Sequence, residues 1–112
     1  SIERCKQKHV EWEYLANKWA RYKTAWAKAL TLVPRMERIE SFSHTEIVAD
    51  LSRLIDIENL YGGSKPIRDC LQRRGWIFND SPKHSDLIVT QRKVKKGEER
   101  TWIKIVLDIP SS

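Results

Sequence analysis

The stretch Thr101–Ile109, TWIKIVLDI, alternates cleanly, with Ile103, Ile105, Leu107 and Ile109 on one face of an extended chain. A period of two over this length commits the segment to a strand with one apolar face, and the rest of the chain must supply neighbours and a cover for it. Residues 85–95 read as a second strand. The intervening KKGEE reads as a turn, so 85–95 and 100–109 are expected to form a hairpin.

Three further elements precede this pair. Residues 3–32 contain no Pro or Gly and are rich in Ala, Lys, Glu, Trp and Leu, which predicts one long helix ended by Pro34. On such a helix Trp12, Trp19 and Trp26 recur every seven residues, with Leu15, Tyr22 and Leu30 between them, and share a face suited to core or subunit packing. Lys18, Arg21 and Lys28 lie on the opposite face. Residues 36–53 lack helical periodicity and predict a strand with Ile39, Ile47, Ala49 and Leu51 on one side, Phe42 and Val48 on the other. Ser64 as N-cap, Pro66 in the first turn and Gly75 after the last turn predict a helix over 65–74, with Ile67 and Leu71 inward. NDSPKH follows as a turn. The order is helix, strand, helix, strand, strand: a small α+β domain, its mixed, mostly antiparallel sheet packed with helices.

The 112 residues fit a single domain, 1–112, and 40% hydrophobic content spread along the chain excludes a disordered tail. A net charge of +6 and a pI near 9.5 point to a polyanionic partner, nucleic acid before membrane surface. No run approaches the roughly 20 apolar residues of a membrane span, and no signal-peptide pattern is present. Two cysteines, Cys5 and Cys70, without a CxxC or any metal-ligand spacing, suit a reducing cytoplasm.

Against that basic background, Asp56 and Glu58 stand two apart beside the Gly62–Gly63 pair, and Asp80 follows the short helix. Extended residues two apart point to the same side. Asp80 can join them only if the chain folds back. Converging carboxylates repel unless a cation lies between them, and hard oxygen ligands suit Mg²⁺ or Mn²⁺. Such a site on a basic protein would let Lys and Arg hold phosphates while metal activates water. By spacing alone the plainer reading, ordinary turn or cap residues, is the favoured one.

The segment DIENLYGGSKPIRDCLQRRGWIFNDSP resembles the signature of the RusA family of Holliday-junction resolvases. That family's pattern is Asp-x-Asp-Asn-Leu, a Lys, Asp-x-Leu, a Gly and an Asp-Asp pair. Asp56, Asn59, Leu60, Lys65, Asp69, Leu71, Gly75 and Asp80 match it in order, and LIVTQRKVKKGEERTWIKI is similar to the family's closing hairpin. The likeness covers residues 54–107. Three features depart from it. Glu58 stands for the second Asp of Asp-x-Asp, and Asn79 for the first of the Asp-Asp pair. Members also open with a short strand before the first helix, which the helix expected from residue 3 leaves no room for.

The resemblance implies a Mg²⁺-dependent (or Mn²⁺-dependent) endodeoxyribonuclease, phage-like in type, that resolves branched DNA as a homodimer with no small-molecule cofactor. It implies Asp56, Glu58 and Asp80 as metal ligands, with Lys65 beside the scissile phosphate. Asn59 would fix the loop, and Asp69, at i,i+4 from Lys65, would hold the ammonium or form a plain surface pair. Arg73, Arg74, Lys83, Arg92 and Lys95, with Lys93, Lys96 and Arg100, are candidate phosphate contacts. A four-way junction is two-fold symmetric, which suits a C2 dimer; the Trp12–Trp19–Trp26 face is a candidate for its interface. The rival reading is a basic DNA-binding module of the same fold that does not cut.

Overall fold

A computed structural model of the chain describes residues 8–16, 23–35 and 40–109. Its elements are β1 (Lys8–Ala16), α1 (Lys23–Ala29) continued by a 3-10 turn (Leu30–Leu32), β2 (Phe42–Leu51), α2 (Ile57–Arg73), β3 (Ser85–Lys93) and β4 (Arg100–Ile109). From α1 onward the order is helix, strand, helix, strand, strand. The class is α+β, a mixed sheet packed with helices, as the sequence implies. β1 adds a strand ahead of that order, and the four strands lie as β1-β4-β2-β3.

Two expectations are corrected here. The single helix over 3–32 is replaced, across its described residues, by a strand and a short helix. KHVEWEYLA alternates Val10, Trp12 and Tyr14 with charged residues, a period-two pattern that absence of Gly and Pro does not override. β4 offers it a partner: the antiparallel register sets Val10 opposite Leu107, Trp12 opposite Ile105 and Tyr14 opposite Ile103. The Trp stripe is therefore not one helical face. Trp12 lies on β1 and Trp26 on α1, while Trp19 and Tyr22, with Lys18, Arg21, Ile39 and Cys5, fall outside the described residues.

The second correction concerns the hairpin. β3 and β4 do not pair; β2 lies between them, parallel to β3 and antiparallel to β4. β2, α2 and β3 form a β-α-β crossover, the connection a parallel pair requires. KKGEE then carries the chain past the end of β2, where Val94 N–H donates to Leu51 O at 2.9 Å. Gly97 takes a φ of +94° there, a left-handed turn that glycine adopts without a Cβ penalty.

α2 is longer than predicted, since Gly62–Gly63 and Pro66 lie inside it. Leu60, Ser64, Ile67 and Leu71 are buried at steps of four, three and four, one continuous stripe through the glycines. Burying that stripe outweighs the roughly 1 kcal/mol that each interior Gly costs. Ser64 is not a cap: it is buried, and its hydroxyl donates back to Tyr61 O at 2.6 Å. Gly75 ends the helix as expected, with φ +86° and Trp76 N–H donating to Leu71 O at 3.0 Å.

Both helices cover one face of the sheet. Trp26 and Leu30 pack with Leu60, Ile67, Cys70 and Leu71 over Ile47, Ala49, Val89, Ile103, Ile105 and Leu107. On the other face, Glu46, Ile88 and Trp102 are exposed. No helix among the described residues is long and apolar enough to cross a membrane.

Candidate functional site

α2 organises the candidate residues and also separates them. Asp56 occupies its N-cap with extended backbone, and Leu60 N–H donates to the Asp56 carbonyl at 3.0 Å. The Asp56 carboxylate makes no capping hydrogen bond, although Asp at this position usually does. Glu58 and Asn59 follow in the first turn, all three exposed. Asp56 and Glu58 thus straddle a helix start instead of sharing one side of an extended strand. Lys65, expected beside them, lies about 13 Å farther along the helix axis. Its ammonium reaches Asp69 at 3.6 Å, the i,i+4 pair foreseen from spacing.

Asp80 lies at the opposite end of the crossover. It lines a cavity of about 260 Å³ with Thr45, Arg68, Ile77, Pro82, Ser85, Asp86 and Leu87. Thr45 is buried, and its Oγ1, like the Nε of Arg68, has no protein hydrogen-bond partner. Neither residue stood out in the sequence; Arg68 has the right charge but only as one of many basic residues around it.

The strand register measures the gap between the two ends. The Ile55 backbone, one residue before Asp56, is clamped on both sides by the Gln91 side chain, at 3.0 and 2.7 Å. Asp80 instead shares its cavity with Ser85 and Asp86. From Ser85 to Gln91 the strand advances about 20 Å, whereas Mg²⁺ holds its ligands at about 2.1 Å. Among the described residues no group of three His, Cys, Asp or Glu side chains could hold a metal ion. Within one protomer, Asp56, Glu58 and Asp80 therefore do not fit a shared Mg²⁺ or Mn²⁺.

The basic candidates divide into engaged and open. Arg74 caps α2, and its guanidinium donates to the carbonyls of Leu30 (3.3 Å) and Thr31, tying the two helices together. Arg92 grips Asp50 at 2.8 and 3.1 Å. Arg73, Lys83, Lys93, Lys95 and Lys96 are exposed, as is Arg100, whose guanidinium donates to Glu99 O at 2.7 Å. Asn79, standing where the family has Asp, accepts the Ser81 N–H at 2.9 Å and so fixes the turn beside Asp80.

Two polar clusters on the open sheet face were not foreseen. Asp50, buried on β2, also accepts Trp102 Nε1–H at 3.0 Å. Arg92 holds its carboxyl below the ordinary value with help from Trp102, against the opposing effect of burial. At the other end of β2, His44 Nδ1 lies 3.0 Å from Asp86 and Nε2 2.9 Å from Asp108. Partial burial works against a charged imidazole, but the Asp108 and Asp86 carboxylates outweigh it and raise the His44 pKa above 6.5.

No family model matches the chain, and no curated protein matches its sequence. Among solved structures, AaThiL complexed with AMPPCP and TMP is similar with a TM-score of 0.52 at 8% identity, over 95% of this chain and 34% of that one. Thiamine monophosphate kinase from Aquifex aeolicus is similar with a TM-score of 0.49 at 9% identity, over 93% of this chain and 35% of its own. This chain spans about a third of the length of those proteins. At such identity the first likeness shows a shared α+β arrangement and carries neither substrate nor reaction.

Proposed function

We propose that this chain is a RusA-type endodeoxyribonuclease, dependent on Mg²⁺ or Mn²⁺, that acts on four-way or otherwise branched DNA as a homodimer. The observation that supports this most is the state of Asp56: an N-cap aspartate whose carboxylate is exposed and makes no capping bond, with Glu58 exposed beside it. A structural cap would be spent on the helix; this one is left for something else. The motif order from Asp56 to Asp80 adds to it, as does an exposed basic set suited to phosphates.

The test is a labelled four-way junction incubated with the protein, with and without Mg²⁺. Symmetric nicks are expected only with metal, and Asp56→Asn is expected to cut at least about 100-fold more slowly while binding junctions as before. Nicking that persists in EDTA would count against the proposal.

A second reading, a DNA-binding module that does not cut, is favoured by the absence of a three-ligand group among the described residues. Salt-sensitive junction binding with no nicks under any divalent ion would establish it.

A further inference from the structure

We infer that the cavity between α2 and the ends of β2 and β3 is a binding site for a free α-amino acid with a small apolar side chain. The inference does not rest on the nuclease reading, although Asp80 figures in both.

Three parts of the chain enclose this cavity of about 260 Å³. α2 supplies Arg68, β2 supplies Thr45, and the segment from Ile77 to Leu87 supplies the rest. The volume lies just below the usual range of small-molecule sites, roughly 300 Å³ upward. It suits a single small metabolite and not a nucleotide or a peptide.

Two buried polar groups of the wall are unpaired. Thr45 is 3% exposed, and its Oγ1 has no hydrogen-bond partner. The Arg68 Nε–H is buried and donates to nothing in the protein. Buried polar groups are paired in the great majority of native structures, so two unpaired ones on a single cavity point to a ligand. The other wall hydroxyl, that of Ser85, is already committed to Ser81 O at 3.4 Å.

The charges select the ligand. Arg68 brings a guanidinium, whose planar fork matches a carboxylate. Asp80 and Asp86 line the same cavity, yet neither forms an ion pair with Arg68. Asp86 is engaged through Oδ2 with His44 at 3.0 Å, which leaves its Oδ1, and Asp80 is exposed. Opposite charges that share a cavity without touching suit a ligand that carries both signs. An anion alone would face two carboxylates, and a cation alone would face Arg68. An α-amino acid holds both charges on one carbon. Its carboxylate meets Arg68 and Thr45, and its ammonium meets Asp80 and Asp86. Ile77, Pro82 and Leu87 remain for the side chain, which makes it apolar, and the volume keeps it small.

Isothermal titration of the protein with L-valine tests this without DNA. Saturable binding is expected, with a Kd of about 1 mM or below. Two truncated probes dissect it: isovalerate lacks the ammonium, and isobutylamine lacks the carboxylate. Each is expected to bind at least about tenfold more weakly than valine. Arg68→Met and Thr45→Val are each expected to weaken valine binding about tenfold. Thr45→Val exchanges an unpaired buried hydroxyl for a methyl and is expected to keep the parent's urea midpoint, so it decides the matter if Arg68→Met does not fold. No binding of valine, alanine or leucine at about 10 mM would overturn the inference and assign the two buried groups to solvent. Isovalerate binding as tightly as valine would overturn the zwitterion and leave a plain carboxylate site. Unchanged valine affinity in Thr45→Val and Arg68→Met would place the amino acid elsewhere and overturn the cavity as its site. Each outcome holds whether or not the protein cuts DNA.

Discussion

The two ends of β2 solve the same problem with opposite chemistry. Among the described residues no helix covers the open face of the sheet, and each end is stitched by a polar residue of β2 reaching both neighbours. At the C-terminal end Asp50 binds Arg92 of β3 and Trp102 of β4. At the other end His44 binds Asp86 of β3 and Asp108 of β4. One clamp is a buried anion held by donors, the other an imidazole held between two anions. The first is settled at neutral pH because Arg92 does not titrate there. The second depends on the imidazole's proton, which the two carboxylates hold more tightly than a free histidine would. Each also neighbours one part of the candidate site: β2 leads from Asp50 towards Asp56, and Asp86 lines the Asp80 cavity.

Removing the buried carboxylate is the harshest test of this contrast. Asp50→Ala deletes two hydrogen bonds from Arg92 and one from Trp102. Hydrogen bonds to charged groups are worth more than neutral ones, but the Arg92 side chain is 60% exposed and water can replace part of the loss. The expected cost is about 2–3 kcal/mol, read as a drop in the urea midpoint. A change below about 0.5 kcal/mol, typical of surface positions, would mean that Asp50 does not anchor this end.

A gentler change sharpens the same point. Trp102→Phe keeps an aromatic ring on the half-covered face and removes only the Nε1–H to Asp50. Since Asp50 retains both Arg92 bonds, the cost should be about 1 kcal/mol, smaller than for Asp50→Ala. If the two variants cost the same, ring packing and not the clamp dominates that end, and the order of effects fails.

These clamps also show what the sequence could and could not tell. Ile103, Ile105, Leu107, Ile67 and Leu71 were legible as core because period alone fixes their face once the element is right. Gly75 was legible because a left-handed helix end has few alternatives. β1 is hard to read from sequence because helix propensity summed over 3–32 competes with the alternation of Val10, Trp12 and Tyr14. α2 was shortened because Gly62, Gly63 and Pro66 are local helix breakers, while the buried stripe that overrides them is a tertiary effect. The partners of Arg92, Arg74 and His44 were out of reach for a different reason. Asp50–Arg92 and His44–Asp86 are register neighbours across a parallel pair, and a hairpin between β3 and β4 would have put other residues opposite them. Motif order singles out Asp56 and Asp80 only as candidates, and their distance is set by that same strand order.

The smallest expected effect concerns the His44 end and follows from the sign of its shift. Its folded pKa is raised above 6.5, so the clamp contributes fully below that value and is lost as pH rises through the folded pKa. Asp50 behaves oppositely: its folded pKa is lowered from 3.8, so its contribution is full above 3.8 and fades only as pH falls through the lower, folded value. Between pH 6 and 8.5, then, the Asp50 end should be constant while the His44 end weakens. Thermal midpoints of the parent should fall modestly across that range, because the His44 side chain is 44% exposed and solvent screens the pair. His44→Gln keeps hydrogen-bonding capacity without the titrating charge and should flatten this slope, whereas Trp102→Phe should leave it unchanged. Glu46 and Lys104 also line the His44 pocket. A slope that survives in His44→Gln would place the proton elsewhere. A slope that disappears would also bear on the Asp80 cavity, where loss of the imidazolium leaves Asp86 without its cationic partner and makes the cavity rim more negative as pH rises.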